Sequence, residues 1–427
     1  MPTLTNSQLQ VITSTASRLL VDAGAGSGKT TTVVQAICHQ LGVTVPQEPP
    51  IAPVASPLTF EQIAAITFTN QSAADLKRKM RAALRAGGRR DLAADVDSSR
   101  IGTIHSFCGD VLRDFALRAG VRPGRRVLDE GEGASIAREC AREALHAAIE
   151  RGGVTGLQEL LMGRRLKDVT PWIEMIASDA DRLAHWDAHR DTLRPHEVAV
   201  LEIATRAKAL RNEWLDREGL LDFDRMIVET RDLLQHEEVR HAVQQRIRLL
   251  VLDEFQDVDP AQRDIAFLLG GLLHDDPSPT RIVLVGDPKQ SIYRFRRADV
   301  TLWNAVAARF RDGAGVVLPL SDNFRSKAAI LGMVDHAVGR TLGNALSGER
   351  REFEVDYQSL VPRAEQAEGD RAVEFLLVPQ DKEGEKAPNA KAVRSLEATA
   401  VARRITEMAT NGTPYGDIAI LLAGWEM

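Results

Sequence analysis

The chain has 427 residues, of which 44% are hydrophobic and 27% charged, and its formal net charge is −6. This length exceeds one ordinary domain and the apolar content is ample for large cores, so we expect about two or three domains. No stretch approaches the roughly 18 consecutive apolar residues of a membrane span, and the first residues lack the pattern of a signal peptide. The sequence therefore predicts a cytoplasmic protein with no membrane partner.

The cysteines and the charge distribution constrain the class of protein less strongly than its length and apolar content do. Cys38, Cys108 and Cys140 lack metal-ligand spacing, so we expect small buried side chains and neither a zinc site nor a disulfide framework. The negative net charge does not favour nucleic-acid binding, although binding depends on where the cations lie. Residues 77–90 contain seven Lys and Arg side chains and no acidic residue. Such a run is more often a solvated helix face than a phosphate contact.

The first predicted strand, 19–22, leads into the glycine-rich stretch Asp-Ala-Gly-Ala-Gly-Ser-Gly-Lys-Thr-Thr-Thr. Glycines at this spacing let backbone N–H groups turn toward a polyphosphate at a helix N-terminus. Lys29 would neutralise the β- and γ-phosphates and Thr30 would hold Mg²⁺. Ala23 stands where the usual motif has its first glycine, and a glycine-rich structural turn is the alternative. The predicted nucleotide-binding loop is Ala23, Gly24, Ala25, Gly26, Ser27, Gly28, Lys29, Thr30 and Thr31.

Further strands are predicted at 62–68 and 100–104, and then strands vanish between about 111 and 218. Charged sequence with a helical period fills this interval and predicts a helical insertion. A continuous apolar run at 247–253 is typical of a buried parallel strand and ends in Asp253 and Glu254. Because side chains alternate along a strand, we expect these two carboxylates to point to different places. Asp253 would lie by the Mg²⁺, and Glu254 would polarise the attacking water.

The next predicted strand, 281–285, is followed by a polar loop in which Gln290 precedes aromatic and arginine side chains. Gln290 is a candidate γ-phosphate sensor, and Tyr293, Phe295 and Arg296 offer stacking and cationic surfaces for a single strand. The alternative is that the two aromatic residues pack in the core. A strand at 316–320 follows. The alternation of strands and helices predicts an α/β fold with a parallel sheet.

The C-terminal part of the chain has a different pattern. Residues 343–371 are charged and rich in turn-forming residues, which predicts an interdomain linker. A strand at 372–378, a helix near 393–411 and a strand at 417–422 are predicted after it. One strand-helix-strand unit is too little for a complete domain.

Seven segments, taken together and in order, resemble the UvrD/Rep class of superfamily-one DNA helicases. They are Leu4–Gln8, Ile66–Ala74, Gly102–Phe107, Leu221–Asp224, Asp253–Asp257, Ile282–Arg296 and Asn323–Ser326. The residues of the third and sixth segments resemble those of the RecB/AddA branch, which comprises the motor subunits of helicase-nucleases. The resemblance implies a RecA-like P-loop NTPase sheet, a helical insertion domain and the start of a second RecA-like domain.

The resemblance also implies a role for individual residues. Gln8 would read the adenine edge, Phe324 would stack on the adenine, and Arg325 would be an arginine finger on the γ-phosphate. Gln290 would link that phosphate to DNA. The residues implied to face single-stranded DNA are Phe68, Asn70, His105, Tyr293, Phe295 and Arg296. If the resemblance were left out, a surface position for Gln8 and core packing for Phe324 would be the favoured predictions.

The implied domain organisation divides the first RecA-like domain into two parts around the insertion. The expected parts are 1–110 for the first part, 111–218 for the helical insertion, 219–342 for the second part, 343–371 for the linker and 372–427 for the start of a second RecA-like domain. Members of the class continue through motifs V and VI, which this sequence lacks.

The resemblance implies an ATP- and Mg²⁺-dependent helicase that moves 3′ to 5′ on single-stranded DNA, or on DNA with a 3′ single-stranded tail, in repair or recombination. A nuclease or recombination partner subunit is implied for the RecB/AddA branch. Two alternatives stay open: a non-catalytic module that binds ATP or DNA, and a motor subunit whose missing half comes from a partner chain.

We expect the 427-residue chain by itself to bind ATP but to show little DNA-stimulated ATPase activity and no unwinding. Motors of this class hydrolyse ATP in a cleft between two RecA-like domains, and movement requires that cleft to open and close. The resemblance implies a second arginine at the nucleotide, supplied by the motifs that this sequence lacks. Loss of that arginine finger would lower the rate of ATP hydrolysis by a factor of about 10³–10⁵. Phosphate release with and without single-stranded DNA, beside unwinding of a forked duplex, tests this. Robust unwinding by the isolated chain would refute it.

Overall fold

The computed structural model describes residues 4–45, 47–118, 124–339, 341–342, 351–365, 373–377 and 390–422. The N-terminal elements are α1 (Asn6–Thr13), β1 (Arg18–Ala23), α2 (Lys29–Gln40), β2 (Ile63–Thr67), α3 (Asn70–Ala86), α4 (Arg90–Asp95), β3 (Arg100–Thr103) and α5 (Ile104–Asp114). The elements that follow are β4 (Arg126–Val127), α6 (Glu130–Arg151), α7 (Leu157–Leu161), α8 (Leu166–Ala177), α9 (Ala180–Ala188), α10 (Pro195–Glu218) and β5 (Leu220–Leu221).

The chain then returns to alternating helices and strands. These elements are α11 (Phe223–Gln235), α12 (Glu237–Arg246), β6 (Leu249–Leu252), α13 (Pro260–Leu269), β7 (Arg281–Gly286), α14 (Val300–Arg309), β8 (Val316–Leu320), β9 (Asp322–Asn323), α15 (Ala328–Val338), β10 (Val361–Pro362) and α16 (Ala390–Thr410).

Six strands form one parallel sheet in the order β3-β2-β6-β7-β1-β8. The predicted α/β class and all six predicted strands of the sheet are confirmed, with ends that differ by at most two residues. Parallel strands joined by helices have both faces covered, so they read as continuous apolar runs. In β6, Leu250 and Leu252 belong to the core on one face, whereas Leu249 and Val251 belong to the core on the other.

Strand register brings distant parts of the chain to one edge. Asp22 of β1 is paired with Gly286 of β7, and Leu252 of β6 is paired with Leu284 of β7. The carboxyl ends of β1, β6 and β7 therefore lie side by side. In open parallel sheets this edge is where ligands bind.

The helices between β4 and β5 have a separate hydrophobic core. It is built from residues of α6, α7, α8 and α10, including Leu145, Leu160, Ile173 and Ile203. β4 pairs with β5 in parallel, so the two ends of this helical segment return to the same place. The helical character predicted for this part of the chain is confirmed.

Two other sequence predictions can be compared directly with the structure. Cys38, Cys108 and Cys140 are buried free thiols, as predicted, and burial raises the pKa of Cys38 and of Cys108 to about 12. None of the helices in the described part of the chain is long and apolar enough to cross a lipid bilayer.

The prediction of a strand, a helix and a second strand after the linker was partly wrong. The helix is present as α16, but residues 373–377 and 418–422 are not strands. A strand needs a neighbour for its backbone N–H and C=O groups, and Phe375, Leu377 and Leu421 are largely exposed, at 69%, 90% and 93%. Within the predicted linker, β10 pairs with β9, and Arg363 forms an ion pair with Asp322. The domain boundaries remain predictions.

Candidate functional site

The glycine-rich loop joins β1 to α2 at the carboxyl edge of the sheet. Gly26 and Gly28 have φ angles of 71° and 77°, in the left-handed region that glycine adopts without a steric penalty. A Cβ at Gly28 would lie 2.7 Å from Nε2 of Gln8, and a Cβ at Gly26 would lie 2.8 Å from Cβ of Arg325. Both backbone conformation and close packing therefore require glycine at these positions.

The loop has the features of a phosphate site. Lys29 begins α2, so the free backbone N–H groups of a helix N-terminus and a lysine side chain lie together. Ser27 is 1% exposed, and its Oγ has no hydrogen-bond partner among the described residues. A buried hydroxyl without a partner is costly unless a ligand completes it. These features fit a polyphosphate with its Mg²⁺.

Lys29 lies between the two carboxylates that follow β6. Its Nζ is 3.4 Å from Oδ1 of Asp253 and also forms an ion pair with Glu254. The expectation that alternation would send these carboxylates to different places was wrong. β6 ends at Leu252, and Glu254 has a φ of 56°, so the strand geometry does not continue to it. A non-glycine residue in this region costs about 1–3 kcal/mol and is typical of functional sites.

Burial and charge together set the protonation of this cluster. Burial opposes the charge on Lys29, but the charges of Asp253 and Glu254 outweigh burial and raise the pKa of the lysine above its ordinary value. Burial raises the pKa of Asp253, although the charge of Lys29 opposes the shift. Two carboxylates share one cation, so an added Mg²⁺ would balance the charge that Lys29 leaves uncompensated.

The predicted adenine-contacting residues lie next to the loop. Gln8 is 4% exposed, and its Nε2 donates to the backbone oxygen of Ser27 at 3.1 Å. Its Oε1 accepts from the backbone N–H of Thr5, which caps α1. The ring of Phe324 would lie 3.9 Å from a Cβ at Gly28, and Phe324 is 41% exposed. The structure thus brings Gln8, Phe324 and the loop together.

Arg325 is held near the loop through its backbone. Its N–H donates to Oδ1 of Asn323 at 2.9 Å, while Nδ2 of Asn323 donates to the backbone oxygen of Ala25 at 2.6 Å. The backbone N–H of Phe324 donates to the oxygen of Gly26. The guanidinium of Arg325 is exposed, and its finger role remains a prediction.

Gln290 follows β7, the strand beside β1. Its Nε2 donates to Oδ2 of Asp287 at 2.8 Å, and Nζ of Lys289 is 3.0 Å from Oδ1 of the same carboxylate. Asp287 is 1% exposed, so it fixes the loop that carries Gln290. The structure places Gln290 at the same sheet edge as Lys29, and its sensor role remains a prediction.

The predicted DNA-facing aromatic residues form a row. The ring centroids of Phe68 and Tyr293 are 4.9 Å apart, and those of Tyr293 and Phe295 are 5.8 Å apart. Phe295 is 79% exposed, so the alternative of core packing is wrong for this ring. His105 packs edge-on against Phe223 at 4.7 Å. Asn70 begins α3 and is exposed, and the side chain of Arg296 lies outside the described residues.

Phe68 and Phe295, the two ends of the aromatic row, border one cleft of about 650 Å³ together with the carboxylates. Its lining includes Phe68, Asn70, His105, Asp253, Glu254 and Phe295. In the described part of the chain, eight acidic side chains and two arginines line it. Both arginines are paired, Arg211 with Asp222 and Arg297 with Asp224. The cleft is therefore unfavourable for phosphates but open to bases.

Four of the seven cations in the basic run at residues 77–90 form ion pairs. Arg78 and Lys79 pair with Asp75, which lies just before the run. Arg81 pairs with Asp97 and Arg89 pairs with Asp91, so acidic residues outside the run compensate part of its charge. These ion pairs agree with a solvated helix face for Arg78, Lys79 and Arg81, and that interpretation remains a prediction.

Sequence reasoning missed three groups that shape the site. Asn323 was quoted only as part of a motif, although an asparagine before a turn commonly bonds to the backbone after it. Leu360 contacts the position where Gly24 would carry a Cβ, so the predicted linker covers part of the loop. Gln256 is buried behind Glu254. Gln256 lies within the fifth segment but was given no role, and no local pattern in the sequence marks Leu360.

Comparison with known proteins adds to this geometry. The profile of the UvrD/REP helicase N-terminal domain matches residues 4–311, which is most of the chain. The chain belongs to the UvrD/REP helicase family. The resemblance inferred from the seven segments is thereby confirmed. Phe324 and Arg325 lie beyond the matched residues.

Individual relatives are similar at low identity. The ATP-dependent DNA helicase Rep of Escherichia coli is 27% identical over 76% of this chain and 41% of its own length. UvrD1 of Mycobacterium leprae is 27% identical over 79% of this chain and 39% of its own length. UvrD2 of Mycobacterium tuberculosis is 26% identical over 98% of this chain and 51% of its own length. The chain thus spans about two fifths to one half of these relatives.

Asp257 provides a test of the electrostatics behind the nucleotide site. Burial, reinforced by the charge of Glu254, raises its pKa to about 6. In the unfolded chain the group would titrate near its ordinary value of about 3.9. The charged form therefore penalises the folded state in full above about pH 6, and the penalty disappears as the pH falls below about 4.

We expect Asp257→Asn to raise the free energy of unfolding at about pH 8 by on the order of 1–3 kcal/mol, with the gain shrinking toward pH 4. Urea unfolding across this pH range, without Mg²⁺ or nucleotide, measures the effect. Asp312→Asn, at an exposed position, is the control and should change little. Destabilisation by Asp257→Asn at about pH 8 would contradict the explanation.

Proposed function

We propose that this chain supplies the nucleotide-binding and part of the DNA-binding machinery of an ATP-dependent DNA helicase. The observation that carries the proposal is that Lys29, Asp253 and Glu254 meet at the glycine-rich loop, on the border of the cleft that Phe68 and Phe295 also line. A motor that couples ATP hydrolysis to movement on DNA needs these two sites in one structural unit. Membership of the UvrD/REP family supports the same function.

In the proposed reaction, the loop N–H groups and Lys29 bind the β- and γ-phosphates, while Thr30 and Asp253 hold Mg²⁺. A metal ion held by Thr30 and Asp253 would supply positive charge against the charge that develops in the transition state. Lys29 exchanges its ion pair with Glu254 for the phosphates. Glu254 is then free to orient the attacking water, and Arg325 and Gln290 contact the γ-phosphate.

Single-stranded DNA would bind mainly through its bases at the cleft. The lining carboxylates disfavour phosphates inside, whereas an exposed ring such as Phe295 accepts any base face. The phosphate backbone would then follow the outside of the cleft. Phe68, Asn70, His105, Tyr293 and Phe295 lie at or near this surface, and Arg296 follows Phe295 in the same loop.

The direction of movement, the form of the DNA substrate and the cellular role are inferred from the resemblance of the seven segments to this class of helicases. We infer movement from 3′ to 5′, a substrate with single-stranded DNA or a 3′ single-stranded tail, and a role in repair or recombination. The third and sixth segments, Gly102–Phe107 and Ile282–Arg296, resemble the RecB/AddA branch, and this supports a nuclease or recombination protein as partner. Rep, UvrD1 and UvrD2 are named ATP-dependent DNA helicases, which agrees with the general activity proposed for this chain.

Nucleotide binding should depend on Lys29. Lys29→Ala removes the loop's cation and its charge-assisted hydrogen bonds, so we expect affinity for a fluorescent ATP analogue with Mg²⁺ to fall by about 10–100-fold. Titration by fluorescence measures the change. Lys167→Ala removes an exposed lysine of α8 and should leave affinity unchanged. Equal affinities for Lys29→Ala and the unmodified chain would rule out the phosphate-binding loop.

Binding of single-stranded DNA should be weak and salt-sensitive, because phosphate contacts release counterions. Stacking on Phe295 should add a part that depends less on salt. We expect Phe295→Ala to weaken binding by about 5–150-fold, the equivalent of roughly 1–3 kcal/mol for one stacked base. Anisotropy of a labelled oligonucleotide across a range of salt concentrations measures both parts.

The matched control is Phe353→Ala, which removes another exposed phenylalanine, 56% exposed and outside the cleft lining. It should leave DNA affinity unchanged. If Phe295→Ala stays folded and binds like the unmodified chain, then stacking on this ring does not contribute.

A further inference from the structure

Gln256 joins the two halves of the site through one buried side chain. It is 2% exposed and lies between Phe255 and Asp257, just after β6. Its Nε2 donates to Oε2 of Glu254 and to Oδ2 of Asp257, each at 3.0 Å. Its Oε1 accepts from the backbone N–H of Asp287 at 3.0 Å. The amide therefore uses both its donor group and its acceptor.

The two ends of this amide lead to different functional groups. On one side, Glu254 forms the ion pair with Lys29 at the phosphate-binding loop. On the other side, Asp287 holds Gln290 and Lys289 at the start of the loop that continues to Tyr293 and Phe295. A second contact ties the same loop, because Oγ of Ser291 donates to the backbone oxygen of Gln256 at 3.1 Å.

Packing leaves the amide little freedom to move alone. A Cβ at Gly286 would contact Oε1 of Gln256 and would lie 2.9 Å from the ring of Trp303. Gln256 therefore fits against a position where only glycine leaves room. Because buried polar groups are costly to leave unpaired, a shift of Glu254 away from the amide requires either a compensating shift of the amide or a lost hydrogen bond.

We propose that Gln256 is a positioning residue that couples nucleotide binding at the loop to DNA binding on the Tyr293–Phe295 segment. The proposal rests on the proposed function, since it concerns the link between those two sites. The phosphates of a bound nucleotide would draw Lys29 away from Glu254, and the carboxylate would then adjust. Gln256 transmits this adjustment to the backbone of Asp287 and hence to the aromatic row. Gln256 itself contacts neither ligand.

Coupling between two sites is a measurable ratio. It is the factor by which saturating AMP-PNP with Mg²⁺ changes the dissociation constant for labelled oligo(dT), and linkage requires oligo(dT) to change the affinity for AMP-PNP by the same factor. For the full 427-residue chain we expect a change of at least about fivefold, in either direction. In Gln256→Leu the change should fall below about twofold, while each ligand alone binds within about threefold of the unmodified chain.

Two further variants make the experiment specific. Gln256→Met keeps the length of the side chain but removes both the donor to Glu254 and the acceptor for Asp287, so it should also lose coupling, and it serves if the leucine variant does not fold. Gln244→Leu is the matched control. Gln244 is a buried glutamine of α12, 4% exposed, whose amide bonds to the backbone of Leu268 and Leu269. This variant removes comparable buried hydrogen bonds and should keep full coupling.

The outcomes separate this inference from the function on which it rests. Full coupling in both Gln256 variants would overturn it, and so would loss of coupling in folded Gln244→Leu. If the unmodified chain binds both ligands with no coupling, the inference fails and the proposed function stands. If it binds neither ligand, the proposed function itself fails and the inference falls with it.

Discussion

The ion pairs between Lys29 and the two carboxylates after β6 are the interaction on which the site depends. They connect the start of α2 with a strand far away in the sequence, and they exist because β1, β7 and β6 are neighbours in a parallel sheet. A half-buried ammonium between two carboxylates is stabilised by both but leaves one negative charge uncompensated. In the proposed function, that imbalance would favour a metal-bound polyphosphate at this edge of the sheet.

In the proposed function, the same electrostatics would determine how DNA approaches. The cleft beside the site contains many carboxylates, and its two arginines are paired, so its interior repels a phosphate backbone. The exposed ring of Phe295 offers the complementary contact, because a base face carries no charge. Nucleotide and DNA would thus be recognised by different interactions. Charge and backbone N–H groups would bind the nucleotide phosphates, and stacking would bind the DNA bases.

Much of this organisation could be predicted from the sequence, for local reasons. The inner strands of the sheet contain continuous apolar runs because both faces of the sheet are covered, and the glycine-rich loop is one uninterrupted segment whose spacing indicates its conformation. The exposed ring of Phe295 agrees with a surface role suggested by its motif. The C-terminal strands were predicted wrongly because a local apolar pattern does not supply the neighbouring strand that a sheet requires.

The sequence by itself determined the parallel α/β class, the helical character between β4 and β5 and the position of the glycine-rich loop, since each depends on periodicity or on adjacent residues. Only the tertiary structure decided how distant groups meet. It turned Glu254 toward Lys29 through a left-handed backbone, paired Arg81 of the basic run with Asp97, and placed Gln256 between Glu254 and Asp287. These relations depend on strand order and three-dimensional packing, which no local spacing of residues encodes.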